Sequence, residues 1–147
     1  MSKTIIIGDR EIEFKASAAT PILYKRAFKQ DLTQELASYA KNYKEAKRLQ
    51  DKLNDEALES PEERLAAVTS SPEFMTMTAS ASDLFPKLAY IMYLEANEEQ
   101  RNIFGKLSEE HFIMWLSGFE PNDLQSHCSE FMQIWNGNIK STSKPKN

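Results

Sequence analysis

One cysteine, Cys128, is the whole thiol content of the chain, so no disulfide can form within it. The four glycines, at 8, 105, 118 and 137, fall into neither GxGxxG nor GxxxxGK spacing, which excludes a glycine-rich phosphate loop. The two histidines, His111 and His127, come with no CxxC or HExxH, so no zinc-site spacing is present. Valine occurs once, at Val68, and strand formers thin out after residue 14, which points to helix. No apolar run approaches the ~20 residues that a membrane span needs. The N-terminus lacks the apolar core of a secretory signal. A free thiol without an export signal predicts a reducing cytoplasm, and the absence of ligand spacings predicts no cofactor and no metal.

What is present is an ordinary globular composition: 147 residues, 41% hydrophobic and 27% charged, enough for one core. Lys plus Arg number 18 against 22 Asp plus Glu, a net charge of −4, and the charge is uneven. Three lysines, Lys140, Lys144 and Lys146, sit in an acid-free end, leaving residues 1–136 with 15 bases and 22 acids. An acidic body argues against nucleic-acid binding, which needs a positive field to release counterions.

Residues 3–14 read as two short strands around Gly8-Asp9, a pair suited to a type II′ turn, with Ile12 and Phe14 alternating against Glu11 and Glu13. A lone hairpin is marginal in water, so it must pack on the helices that follow. Thr20 is the expected cap of a helix with Pro21 at its first position. Asp31 precedes a long helix over roughly 31–57, with a narrow stripe of Leu32, Leu36, Tyr39, Tyr43, Ala46, Leu49 and Leu53. Of residues 41–64, 13 are charged, which predicts a second half that projects into solvent or lies on a partner. Lys41–Glu45, Lys47–Asp51 and Lys52–Glu56 stand four apart, as helix-surface ion pairs do.

Ser60-Pro61-Glu62-Glu63 is a helix start, and Ser70, Ser71 and Pro72 read as its interruption. Residues 69–82, mostly Ser, Thr, Ala and Met, are expected to be a mobile segment. A strongly apolar helix is expected over 83–97, with Asp83 at its start and Pro86 in its first turn. Ser108 caps another that Gly118 stops, with Leu107 and Phe112 placed for a hydrophobic staple. Pro121-Asn122-Asp123 opens the last, whose face holds Leu124, Cys128, Phe131, Met132 and Trp135 and which Gly137 terminates. The predicted fold is mainly α (α+β): an N-terminal β-hairpin packed on a bundle of about five to six helices. A single globular domain is expected over 1–137, followed by a disordered basic tail over 138–147.

No catalytic constellation emerges. His127 and Cys128 are neighbours on a helix and point about 100° apart, a poor geometry for a nucleophile and its base. Glu62-Glu63, Glu98-Glu99 and Glu109-Glu110 each lie near a helix start, where acids favour the macrodipole. Trp115 and Trp135 fall on apolar faces and read as core. Phe74, Met75 and Met77 are different, being apolar and conformable in a stretch that does not look like core, which suits adaptable binding or a loose flap over the core. They are the first candidates for a partner-binding surface, with Leu32, Leu36, Tyr39 and Tyr43 of the long helix as the second.

The order of these features resembles a family. Thr4–Phe14 as a hairpin, Tyr24-Lys-Arg-Ala-Phe-Lys-Gln-Asp31, Asp83-Leu-Phe-Pro-Lys-Leu-Ala-Tyr90, Phe112-Ile-Met-Trp-Leu-Ser-Gly-Phe-Glu120, Glu130-Phe-Met-Gln-Ile-Trp135 and a Ser/Thr/Lys end together resemble the tail assembly chaperones of long-tailed phages and prophages of Gram-positive bacteria. The resemblance implies a non-enzymatic factor of the host cytoplasm, absent from the mature virion. It would coat the tape measure protein, keep it soluble and help recruit the major tail tube protein, with self-association left open. In many such phages a frameshift near the end of the gene makes a longer product. The rival expectations are a structural head–tail connector that stays in the particle, a small enzyme using His127 and Cys128, and a helical transcription regulator. The regulator fits poorly, because helices at 83–97, 108–117 and 122–136 carry only Lys87 as a Lys or Arg.

Overall fold

The order of elements in the computed structural model is β1 (Ser2–Ile7), β2 (Arg10–Lys15), α1 (Thr20–Phe28), α2 (Leu32–Asp55), α3 (Pro61–Thr69), α4 (Pro72–Asn97), the short α5 (Gln100–Ile103), α6 (Glu109–Leu116) and α7 (Cys128–Ser143). Residues 2–55 and 60–143 are described, with side chains described for 2–53 and 60–137. The protein is mainly helical with one antiparallel hairpin, as the sequence predicts. Its contacts gather into two compact units: Met1–Leu32 with Leu84–Asn147, and Thr33–Asp83. The division falls inside α4.

In the first unit the hairpin turns at Gly8-Asp9. Gly8 has φ of 66° and Asp9 stays negative, as a II′ turn requires. Ile5 faces Ile12 and Ile7 faces Arg10 across the ladder. Ile5, Ile7, Ile12 and Phe14 are buried while Ile6, on the opposite face, is exposed. That buried face meets α7, where Phe14 and Phe131 pack edge-to-face at 5.1 Å. The edges are tied by polar contacts: Lys3 Nζ donates to Gln133 Oε1, Asn97 Nδ2 to the Glu13 carbonyl, and Arg10 Nη1 to the Gly118 carbonyl. Arg10 also lies over the Phe119 ring at 4.7 Å.

The centre of this unit is the second half of α4. Leu88, Ala89, Tyr90, Ile91 and Met92 are five consecutive buried residues, so the helix is covered on every side. An aromatic chain runs from it to its neighbours: Tyr24–Phe28 at 5.1 Å, Phe28–Phe112 at 5.2 Å, Phe112–Tyr90 at 5.7 Å, Tyr90–Trp115 at 5.4 Å and Trp115–Phe119 at 4.8 Å. Burial pushes the Tyr90 phenol up to about 12, and its hydroxyl donates to the Lys106 carbonyl at 2.8 Å.

Several expectations need correction. Residues 72–82 are not a loose segment but the first turns of α4. Ser71, Pro72 and Glu73 repeat the start seen at Ser60: Ser71 Oγ accepts from the Phe74 N–H at 3.2 Å, as Ser60 Oγ does from Glu63. Asp83 therefore begins nothing, and Pro86 lies inside the helix, where it has no N–H to give to the Ser82 carbonyl. Thr20 is the first residue of α1 and makes no cap; its buried hydroxyl accepts from the Ser17 N–H and donates to Glu95 Oε2. The segment after Pro121 is turns and a 3-10 turn, so the last helix begins at Cys128. Gly137 takes no left-handed φ, and α7 continues to Ser143, so the expected tail is helical at 138–143; Lys144 and Lys146 lie outside the described residues. The end of the expected 31–57 helix and the Lys52–Glu56 pair also lie outside them. Lys41–Glu45 and Lys47–Asp51 form no ion pair.

Phe14 is fully buried and carries the contact between hairpin and α7. Phe14→Ala should cost about 3–5 kcal/mol. Urea denaturation followed by tryptophan fluorescence measures this directly, because Trp115 and Trp135 both belong to the same unit as Phe14.

Candidate functional site

The second unit is built from α2, α3 and the start of α4. Asn42 Nδ2 of α2 donates to Ser80 Oγ of α4 at 2.8 Å, and Ser71 Oγ donates to the Val68 carbonyl at 2.6 Å, joining α3 to α4. Between these helices lies a cleft of about 260 Å³, lined by Tyr43, Ala46, Lys47 and Gln50 of α2, Leu65, Val68 and Thr69 of α3, and Phe74 and Met77 of α4. Tyr43 is 49% exposed and Leu65 65% exposed, far more than a core residue would be. Phe74 and Met77 are half-buried.

Three of the seven candidate residues meet in this cleft: Phe74 and Met77 of the first set and Tyr43 of the second. Tyr39 reaches Tyr43 with ring centroids 6.2 Å apart. Met75, one position round the helix, is 61% exposed and does not line the cleft. Leu36 is half-buried in the same unit. Leu32 is placed differently: it is fully buried and belongs to the first unit, so it is core. Sequence reasoning missed Leu65, Val68 and Thr69, whose i, i+3, i+4 spacing on α3 is the signal that could have found them.

A wider, more open hollow of about 880 Å³ lies in the first unit, lined in part by Lys15, Ser17, Leu23, Glu95, Glu98 and Phe104. Its carboxylates are engaged. Glu95 accepts from the Ser17 and Thr20 hydroxyls, Glu98 pairs with Lys106 at 2.6 Å and Glu99 with Arg101 at 3.5 Å. Glu62-Glu63 and Glu109-Glu110 stand in the first turns of α3 and α6. His127 Nδ1 is 2.6 Å from Glu130 Oε1, and no hydrogen bond joins it to Cys128, which is half-buried. No three His, Cys, Asp or Glu among the described residues could hold a metal ion. Nor is any helix among them long and apolar enough to cross a membrane.

Burial pushes the Glu95 carboxyl above its ordinary 4.5, while the Ser17 and Thr20 hydroxyls and Lys15 pull it part of the way back. Its contribution to stability is therefore full below 4.5 and is lost as pH rises through the higher folded value. Glu95→Gln removes that ionisation. Thermal melts from about pH 4 to about pH 7 should show wild type losing stability relative to the variant as pH rises. A difference that stays constant with pH would show that the ordinary carboxyl ionisation persists. Compared with protein-family models, curated proteins and solved structures, the chain matches none.

Proposed function

We propose that the protein is a tail assembly chaperone that binds a phage tape measure protein, keeps it soluble and helps recruit tail tube subunits in the host cytoplasm, without remaining in the mature virion. One observation carries this beyond the resemblance in sequence: Tyr43, Leu65, Phe74 and Met77 line a single half-open apolar cleft. A tape measure helix shows apolar stripes before the tube closes around it, and such stripes aggregate unless covered. A cover must come off later, so modest strength and conformable side chains suit it.

The magnitudes agree with that role. Tyr43, Phe74 and Met77 are already about half-buried, so covering what remains could contribute on the order of 2–4 kcal/mol. Phe74 and Met77 stand on a helix, so less ordering is needed on binding than a loop would require. The gain is short of the ~8 kcal/mol of micromolar binding, so each site holds weakly by itself and becomes effective when many copies bind along one long partner.

Co-expression with the cognate tape measure protein tests this. Wild type should raise the soluble fraction of that partner several-fold. Leu65→Asp, at an exposed wall of the cleft, and the combined Phe74→Ser and Met77→Ser should raise it little while keeping the wild-type circular dichroism spectrum. Met75→Ser, outside the cleft, should act like wild type. Rescue by every variant would remove the cleft from the role, and no rescue by wild type would remove the role itself. Mass spectrometry of purified particles should find no copy of the chain; its presence would favour a structural connector.

A further inference from the structure

The cleft continues along α3. A second hollow of about 300 Å³ adjoins it, sharing Gln50, Leu65 and Val68 and adding Pro61 and Arg64. Among the described residues, the charged ones lining the combined groove are Lys47 and Arg64, both basic, in a chain of net charge −4. Neither makes an ion pair among the described residues. The single sign is local: the hollow lined by Glu45, Arg48, Leu49, Lys52 and Glu73 mixes acids with bases.

We infer that this groove selects an amphipathic helical segment whose apolar stripe is flanked by carboxylates. The walls argue for a helix, since all three are helices and the unit's described residues offer no strand edge to extend. Apolar side chains at i, i+3, i+4 and i+7 of the incoming helix would meet Tyr43, Leu65, Val68 and Phe74. Lys47 and Arg64 would then meet acids beside the stripe. Such rim charges add little affinity each but reject the wrong partner by like-charge contact. The inference rests on the chaperone proposal and names the chemistry that its cleft prefers: the acid-flanked stretches of an apolar helical partner rather than any apolar stripe.

The test uses two synthetic helical peptides with the same leucine stripe, one flanked by glutamates and one by lysines, titrated into the full chain by fluorescence anisotropy. Wild type should bind the glutamate peptide about fivefold or more tighter at low salt, with the preference shrinking as salt rises. Lys47→Glu with Arg64→Glu, both solvent-accessible positions, should abolish or reverse the preference. Arg101→Glu, an exposed charge of the first unit, should leave it intact. Equal affinity for both peptides, or a preference that survives the double reversal, overturns the selection. Absence of binding to either peptide overturns the groove as a helix site. Sedimentation that shows a dimer broken by the double reversal would give the groove to a second copy and overturn it too. If these fail while wild type still keeps the tape measure protein soluble, only the groove's selectivity is lost; failure in both experiments removes the chaperone proposal as well.

Discussion

Burial of the second half of α4 is the constraint on which the first unit depends. From Leu88 to Met92 every residue is buried, so neighbours must cover the helix all the way round. Those neighbours are tied to it and to one another by aromatic contacts that pass from α1 through α6 to Phe119, where Arg10 of the hairpin closes the chain of rings. The hairpin, too small to be stable alone, gains its second face from Phe131 and the rest of α7. Glu95, near the end of α4, holds the turn between hairpin and α1 through two hydroxyls.

The second unit follows the opposite rule. α2 carries a narrow stripe and many charges, and among the unit's described residues the buried ones are few and small: Ala46 on α2, Val68 on α3 and Ser71 before α4. A unit with so little buried apolar surface leaves Tyr43, Leu65 and Met75 exposed. An incompletely filled seam between helices is a defect in a structural role and an asset in a binding one. The functional proposal rests on that seam, because the first unit's hollow has its carboxylates already committed to hydroxyls and lysine or arginine partners.

Much of the fold was legible because the deciding interactions are local. Period-two alternation at Ile12 and Phe14 gave the buried face of the hairpin, Gly8-Asp9 its turn, and Ser60 and Ser108 their caps. The candidate site was legible in part, with Tyr43, Phe74 and Met77 named by residue type. Ser71-Pro72-Glu73 has the same form as Ser60-Pro61-Glu62, yet it reads as a break when the residues after it lack periodicity. Pro86 looks like a helix start because a proline inside a helix forfeits one hydrogen bond, a local cost that the burial around Leu84–Leu94 outweighs.

The sequence by itself determined the class, the hairpin and most helix positions, since alternation, helical spacing and capping act within a few residues. It also determined that no phosphate loop spacing and no zinc-site spacing is present. Only the tertiary structure decided that Leu32 is core while Tyr43 faces a cleft, although both stand on one stripe of one helix. Only the tertiary structure brought Leu65 and Val68 of α3 against Phe74 and Met77 of α4, and set Lys47 and Arg64 along the same groove. A stripe fixes which side of a helix is apolar; what covers that side depends on residues far along the chain, and no local pattern encodes that pairing.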